Sequence, residues 1–193
     1  MKREMKGNVC VFCASSANID GRYLEAAQEL GALLAQEGWR CVNGGGAVGL
    51  MSAVTDGALD ADGKVTGVIP KFMVDKGWCY DRLEDVIVTA DMHQRKQMMS
   101  DMADAVIALP GGVGTLEELL ETLTWRQLGL VKVPVIILNT LGYYDHLLAM
   151  LDHAIDEEFM KPSHRRLWQV AATPAEVIAL LGNAQDVEFE SKY

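Results

Sequence analysis

Positive charge is scarce in this 193-residue chain: 17 Lys and Arg stand against 27 Asp and Glu, giving a formal charge of −10 and a pI near 4.8. No Lys/Arg-rich stretch supplies the basic face that neutralises nucleic-acid phosphates, so a nucleic-acid partner is not expected. Small anions remain possible ligands, because a pocket can be locally positive inside an acidic protein. Long apolar runs are also missing, and none approaches the roughly 18–20 residues that span a bilayer. The opening Met1-Lys2-Arg3-Glu4-Met5-Lys6-Gly7 lacks the long apolar stretch and small-residue cleavage site of a signal peptide. Half of the residues are hydrophobic and 23% are charged, which is ordinary for a globular chain. The expectation is one cytoplasmic domain over residues 1–193 with no membrane contact.

Cysteine is sparse too, at Cys10, Cys13, Cys41 and Cys79. Cys10-Val11-Phe12-Cys13 has C-x-x-C spacing, but it lies in an apolar run, and a strand sends positions three apart to opposite faces. A redox motif instead needs its first Cys at a helix N-terminus, and no second C-x-x-C completes a zinc site. These cysteines read as buried structural residues.

What the chain does have is alternation. Short β-branched runs at Val9–Ala14, Trp39–Asn43, Lys64–Ile69, Val86–Thr89, Ala105–Leu109 and Val133–Leu138 predict strands. Helical patterns fall at Gly21–Gln36, from Gly49, at Asp91–Ala103, Thr115–Leu128, Tyr143–Phe159 and Pro174–Leu181. Pro70 is expected to stop the third strand, and Lys71–Asp85 reads as a loop at the sheet edge or a pocket wall. The 187–193 tail is too short to assign. This order predicts an α/β fold, a Rossmann-like doubly wound parallel sheet between two helical layers, with ligands at the carboxyl ends of the strands.

Two strand-to-helix turns are rich in glycine: Asn43-Gly44-Gly45-Gly46-Ala47-Val48-Gly49 and Pro110-Gly111-Gly112-Val113-Gly114-Thr115. Free backbone N–H groups and the positive dipole end favour an anion at such a helix start. Gly44, Gly46 and Gly49 fit G-x-G-x-x-G, yet the pattern follows the second strand. Its acidic partner about 20 residues on has no clear counterpart. Neither turn ends in G-K-[ST], which argues against a triphosphate hydrolase. Glycines serving only the turn would explain one loop; two such loops favour a phosphate-bearing ligand, a mononucleotide or sugar phosphate.

Arg95 falls in line with Met92, Met99 and Met102 on one helix. It either packs its stem on the core edge with its head in water or, beside Lys96, balances a phosphate or orients a sugar. Leu116, Leu119, Leu120 and Leu123 are expected to face the sheet, sending Glu118 to the opposite side. Glu117, Glu118 and Glu121 equally suit a helix start for electrostatic reasons alone, and the pattern does not choose among them. His146 and His153 show no ligand spacing, so no metal and no cofactor are expected.

Pro110-Gly111-Gly112-Val113-Gly114-Thr115-Leu116-Glu117-Glu118 matches the P-G-G-x-G-T-x-x-E signature of the Lonely-guy family, cytokinin-activating phosphoribohydrolases also labelled lysine decarboxylases. Gly44–Met51 resembles that family's G-G-G-x-x-G-L-M loop, and Asp91-Met92-His93-Gln94-Arg95-Lys96 the segment bearing its essential arginine. Val9–Ser16, Thr124–Gly129 and Asn139–Tyr144 correspond as well, so the resemblance covers nearly the whole chain. It implies hydrolysis of the N-glycosidic bond of a nucleoside 5′-monophosphate. Arg95 and Glu118 would form the catalytic pair. Gly111, Gly112, Val113, Gly114, Thr115, Leu116 and Glu117 would line the nucleotide site together with Lys96 and Thr124, with Gly45, Gly46 and Gly49 close by. It also implies a homodimer, burying the helix face that carries Trp125. The departure lies in Phe72-Met73-Val74-Asp75-Lys76-Gly77, where related sequences often carry a glutamate. Two other readings compete: a non-catalytic nucleotide carrier or sensor using the same loops, and, ranked third, an NAD-dependent oxidoreductase. A pyridoxal-dependent decarboxylase would need a Schiff-base lysine that the sequence does not offer.

Overall fold

A computed structural model describes residues 5–183. Seven strands form one parallel sheet: β1 (Gly7–Phe12), β2 (Trp39–Asn43), β3 (Val65–Pro70), β4 (Asp85–Thr89), β5 (Ala105–Ala108), β6 (Val135–Leu138) and β7 (Gln169–Ala171), in spatial order β4-β3-β2-β1-β5-β6-β7. Seven α-helices connect or follow them: α1 (Gly21–Gln36), α2 (Leu50–Asp60), α3 (Lys71–Asp75), α4 (Met92–Met102), α5 (Val113–Gln127), α6 (Asp145–Asp156) and α7 (Pro174–Gly182). This is the expected doubly wound α/β architecture. Among the described residues no helix is long and apolar enough to cross a membrane.

The pleat of β1 divides the core. Val9, Val11 and the following Cys13 join Leu30 and Leu34 of α1, Val54 of α2 and Val177 of α7 on one face. Cys10 and Phe12 join Met99 of α4, Leu119 and Leu123 of α5 and Ile155 of α6 on the other. The two C-x-x-C cysteines therefore belong to opposite cores, as strand periodicity demands. All four cysteines are free.

Several boundaries differ from the sequence reading, each for a local reason. β1 starts and ends two residues earlier, at Gly7–Phe12, because Asp104 accepts the Asn8 N–H at 2.8 Å and anchors the strand start. Pro70 does not stop β3 before it: it is the last strand residue, in register with Thr89 of β4 and beyond the last residue paired with β2, Gly67, so no β2 hydrogen bond is lost to its missing N–H. α6 is shorter than Tyr143–Phe159. Tyr143 and Tyr144 belong to the turn before it, and Glu158, at φ 63°, has left the helix before the exposed Phe159. β7 has no counterpart in the sequence reading because two of its three residues are exposed. The 187–193 tail lies outside the described residues.

Candidate active site

The sheet order reverses at β1, flanked by β2 on one side and β5 on the other. The chain leaving β1 turns to one helical layer and the chain leaving β5 to the other, which opens a crevice at the carboxyl ends. Three loops are stitched together there. Ala14 N–H donates to the Pro110 carbonyl at 3.2 Å, and Met51 N–H donates to the Ala14 carbonyl at 3.3 Å. A cleft of about 760 Å³ lies over this junction, lined by Ser15, Ser16, Gly44, Gly46, Arg95, Gly112, Gly114, Thr115, Glu117 and Glu118 among others. That is within the roughly 300–1,000 Å³ of small-molecule sites.

Arg95 reaches the cleft from α4. Asp91 caps that helix by accepting the Gln94 N–H at 2.8 Å, while Gln94 Oε1 accepts the Ala90 N–H at 2.6 Å, a reciprocal cap that fixes the first turn. The alternative with the guanidinium in water is excluded: the Arg95 side chain is 8% exposed. Gly44 makes the room, since a Cβ there would lie 1.9 Å from Arg95 Nη2. Among the described residues, Arg95 Nη1 has only the soft Met92 sulfur at 3.7 Å, and its buried Nε has no hydrogen-bond partner. A buried cation so under-satisfied is costly in the protein alone.

Glu118 approaches from α5. Its Oε1 lies 3.8 Å from Arg95 Nη2, and its side chain is 12% exposed. The expected orientation, away from the buried side, is not the observed one. Leu120 is the exposed member of the leucine stripe, and the buried face runs through Thr115, Leu119, Thr122, Leu123 and Arg126, with Glu118 on its flank. Thr115 and Thr122 displaced the apparent stripe, since a buried threonine does not register in a leucine count. Burial pushes the Glu118 carboxyl up to about 7; Arg95 opposes this rise and Glu117 adds to it.

Beneath the second glycine turn, Tyr143 donates to the Gly111 carbonyl at 2.7 Å and Tyr144 to the Leu109 carbonyl at 2.6 Å. These fix the start of α5, where no side chain caps the helix. The first glycine turn is fastened differently. Gly45 N–H donates to Asn43 Oδ1 at 2.9 Å and Gly46 N–H to Met51 Sδ at 2.9 Å.

Of the expected site residues, the cleft gathers Gly46, Arg95, Gly112, Gly114, Thr115, Glu117 and Glu118. Gly45, Gly49 and Gly111 belong to the adjoining turns, and Val113 and Leu116 to the first residues of α5, without lining it. The Lys96 ammonium sits outside the cleft, paired with Glu117 and, at 3.1 Å, with Glu121 Oε1. Thr124 is exposed, its hydroxyl donating to the Leu120 carbonyl at 2.8 Å.

Sequence reasoning missed Ser15 and Ser16, although the loop after β1 is where a switch point puts ligand contacts. It also left Lys71–Asp85 between two alternatives. The segment is a pocket wall: Ala47 N–H donates to the Trp78 carbonyl at 3.1 Å and Tyr80 N–H to the Gly45 carbonyl at 2.9 Å. Met73 and Trp78 thereby join Ile69 and Met92 as an apolar side of the cleft. His146 and His153 are both exposed on α6.

Comparison with known proteins follows the same lines. The model of a family described as "possible lysine decarboxylase" matches residues 51–181. The chain is 46% identical over 173 residues to a probable cytokinin riboside 5′-monophosphate phosphoribohydrolase of Oryza sativa subsp. japonica, covering 90% of this chain and 69% of the relative. It is 44% identical over 173 residues to a cytokinin riboside 5′-monophosphate phosphoribohydrolase of Arabidopsis thaliana, covering 90% and 76%. Among solved structures, the molybdenum cofactor carrier protein of Chlamydomonas reinhardtii aligns with a TM-score of 0.71 at 26% identity, covering 92% of this chain and 97% of that one. With the signature loop, the arginine helix and these identities in agreement, the chain belongs to the Lonely-guy family of cytokinin riboside 5′-monophosphate phosphoribohydrolases.

Proposed function

We propose that this protein hydrolyses the N-glycosidic bond of a nucleoside 5′-monophosphate, AMP or its N6-substituted cytokinin counterpart, releasing the base and ribose 5-phosphate. One observation carries this reading: a buried, under-satisfied Arg95 and a desolvated Glu118 face the same nucleotide-sized cleft, beside the uncapped start of α5. The names of the 44–46% identical relatives support the reaction class. No metal or cofactor is part of the reading, and residues 1–193 act as one nucleotide-binding domain.

The N-terminal N–H groups of α5, with Gly112, Gly114 and Thr115, hold the 5′-phosphate; Gly111, Val113, Leu116 and Glu117 shape that turn, and Gly45, Gly46 and Gly49 shape the facing one. Arg95 supplies free N–H donors to the phosphate or sugar and holds Glu118 in place. Cleavage of the C1′–N bond builds positive charge on the ribose, which the Glu118 carboxylate stabilises. Water adds its oxygen to C1′ as the C1′–N bond breaks and gives one proton to the Glu118 carboxylate; the departing base takes up a proton from solvent and Glu118 returns its own to solvent, so one water is consumed overall. Phosphate binding far from the breaking bond positions it. The apolar side formed by Ile69, Met73, Trp78 and Met92 suits the base.

A carboxyl titrating near 7 makes the rate rise with pH through that region, since the ionised form does the work. Glu118→Gln and Arg95→Ala are each expected to lower base release from AMP by about 10²–10⁴-fold. Near-wild-type release from either variant overturns the assignment. The carrier reading has support in the 26–27% identity to a molybdenum cofactor carrier and a molybdenum cofactor binding protein. Stoichiometric nucleotide binding without turnover would favour it.

The proposal extends to a homodimer in the cytoplasm. Free cysteines suit a reducing compartment. The exposed Leu120, Leu128 and Leu130, with Thr124 and half-buried Trp125 between them, suit a face covered by a second copy. A monomeric mass by light scattering contradicts that part.

A further inference from the structure

Three consecutive carbonyls enter the second glycine turn, and each is held from a different direction. Tyr144 donates to the Leu109 carbonyl at 2.6 Å, Ala14 N–H to the Pro110 carbonyl at 3.2 Å, and Tyr143 to the Gly111 carbonyl at 2.7 Å. The third differs from the others. Tyr144 is 1% exposed and Tyr143 is 43% exposed, and the peptide that Tyr143 holds joins two glycines, Gly111 and Gly112. With no Cβ on either side, that peptide plane turns more freely than its neighbours. A trans peptide also points its C=O and N–H in opposite directions. Holding the Gly111 carbonyl against Tyr143, which stands outside the cleft, therefore sends the N–H of Gly112, which lines the cleft, the other way.

Tyr143 is itself firmly placed. Its ring meets Tyr23 of α1 edge-on at 6.0 Å and Tyr144 at 5.0 Å. The turn that delivers it is fixed by Asn139, whose Oδ1 accepts the Tyr144 N–H at 2.6 Å and whose Nδ2 donates to Asp145 Oδ1 at 2.7 Å. Leu141, in the same turn, takes a left-handed φ of 56°, a strained conformation that its surroundings must maintain.

We infer that Tyr143 is a positioning residue for phosphate binding: its hydroxyl sets the Gly111–Gly112 peptide so that the Gly112 N–H, and not the Gly111 carbonyl oxygen, faces the 5′-phosphate. This rests on the nucleotide reading given above. The buried Arg95, whose Nε has no partner among the described residues, independently calls for an anionic ligand in the same cleft. Released from Tyr143, the glycine peptide can rotate and bring a carbonyl dipole toward the phosphate, so that an attraction becomes a repulsion. Arg95 is placed by α4 and Glu118 by the second turn of α5, so the reacting pair is left where it was.

The test is isothermal titration of the full chain and its Tyr143→Phe variant with ribose 5-phosphate and, separately, with adenosine, which has no phosphate. Steady-state kcat and KM for AMP are measured alongside. The variant keeps the ring and loses only the oxygen. Its Kd for ribose 5-phosphate and its KM for AMP are expected to rise about tenfold. The Kd for adenosine and kcat should stay within about twofold, and the thermal midpoint should fall by no more than about 4 °C. Unchanged affinity for ribose 5-phosphate overturns the inference. A parallel loss for both ligands, or a variant that fails to fold, marks Tyr143 as a general support of the fold and overturns it as well. The titrations need no turnover: a selective loss for ribose 5-phosphate, with no base released by the wild type, sinks the hydrolase reading and leaves the positioning role standing. If the wild type binds no ribose 5-phosphate, the phosphate site falls and the inference with it.

Discussion

The two glycine-rich turns look alike in sequence and differ in what their missing side chains make room for. In the turn after β2, the space belongs to the protein. A Cβ at Gly44 would meet Arg95 Nη2 at 1.9 Å, and one at Gly49, where φ is +73°, would meet the Ser16 carbonyl oxygen at 2.5 Å. In the turn after β5, a Cβ added at Gly112 or Gly114 would meet nothing within 4 Å, and both glycines line the cleft. Gly44 and Gly49 of the first turn are packed against the protein itself, although Gly44 and Gly46 also border the cleft, whereas Gly112 and Gly114 of the second are open toward it. A glycine pattern records that backbone must be approached, not by what.

Substitution separates the two turns. The largest effect is expected at Gly49: Gly49→Ala combines a left-handed φ with a backbone clash and should cost about 3 kcal/mol or more of unfolding free energy by denaturant titration. Gly44→Ala comes next. Its Cβ meets the far end of a flexible side chain, so stability changes little, but the displaced Arg95 should lower kcat about 10²-fold. Smallest are Gly112→Ala and Gly114→Ala, for which the unfolding midpoint should hold and KM for AMP should rise about tenfold. An unchanged KM in both, or a stability loss matching that at Gly49, would erase the distinction between the turns.

The fold was legible because strands and helices alternate strongly, and β-branched runs such as Val135–Leu138 lie where the sheet is buried on both faces. The arginine was legible as one of two alternatives, and its family signature decided for the cleft. What escaped followed from identifiable causes. Glu118 was set too far out because Leu120 looks like a core residue and Thr115 and Thr122 do not, although both threonines are buried. The wall segment stayed ambiguous because its order comes from cross-chain pairing with Gly45 and Ala47, which no local pattern encodes. Lys96 and Arg95 are neighbours with similar charge, and only three-dimensional pairing separates their surroundings.

In the proposed reaction, cleavage of the bond between base and sugar depends on Glu118, desolvated beside Arg95. The most direct measurement is chromatographic detection of free base and ribose 5-phosphate from AMP and from N6-prenyl-AMP, with wild type and Glu118→Gln compared across roughly pH 5–9. The expected result is equimolar products from the wild type, a rate rising through about pH 7, and near-complete loss of that activity in Glu118→Gln. Bound nucleotide recovered intact from the wild type, or undiminished cleavage by the variant, would contradict it.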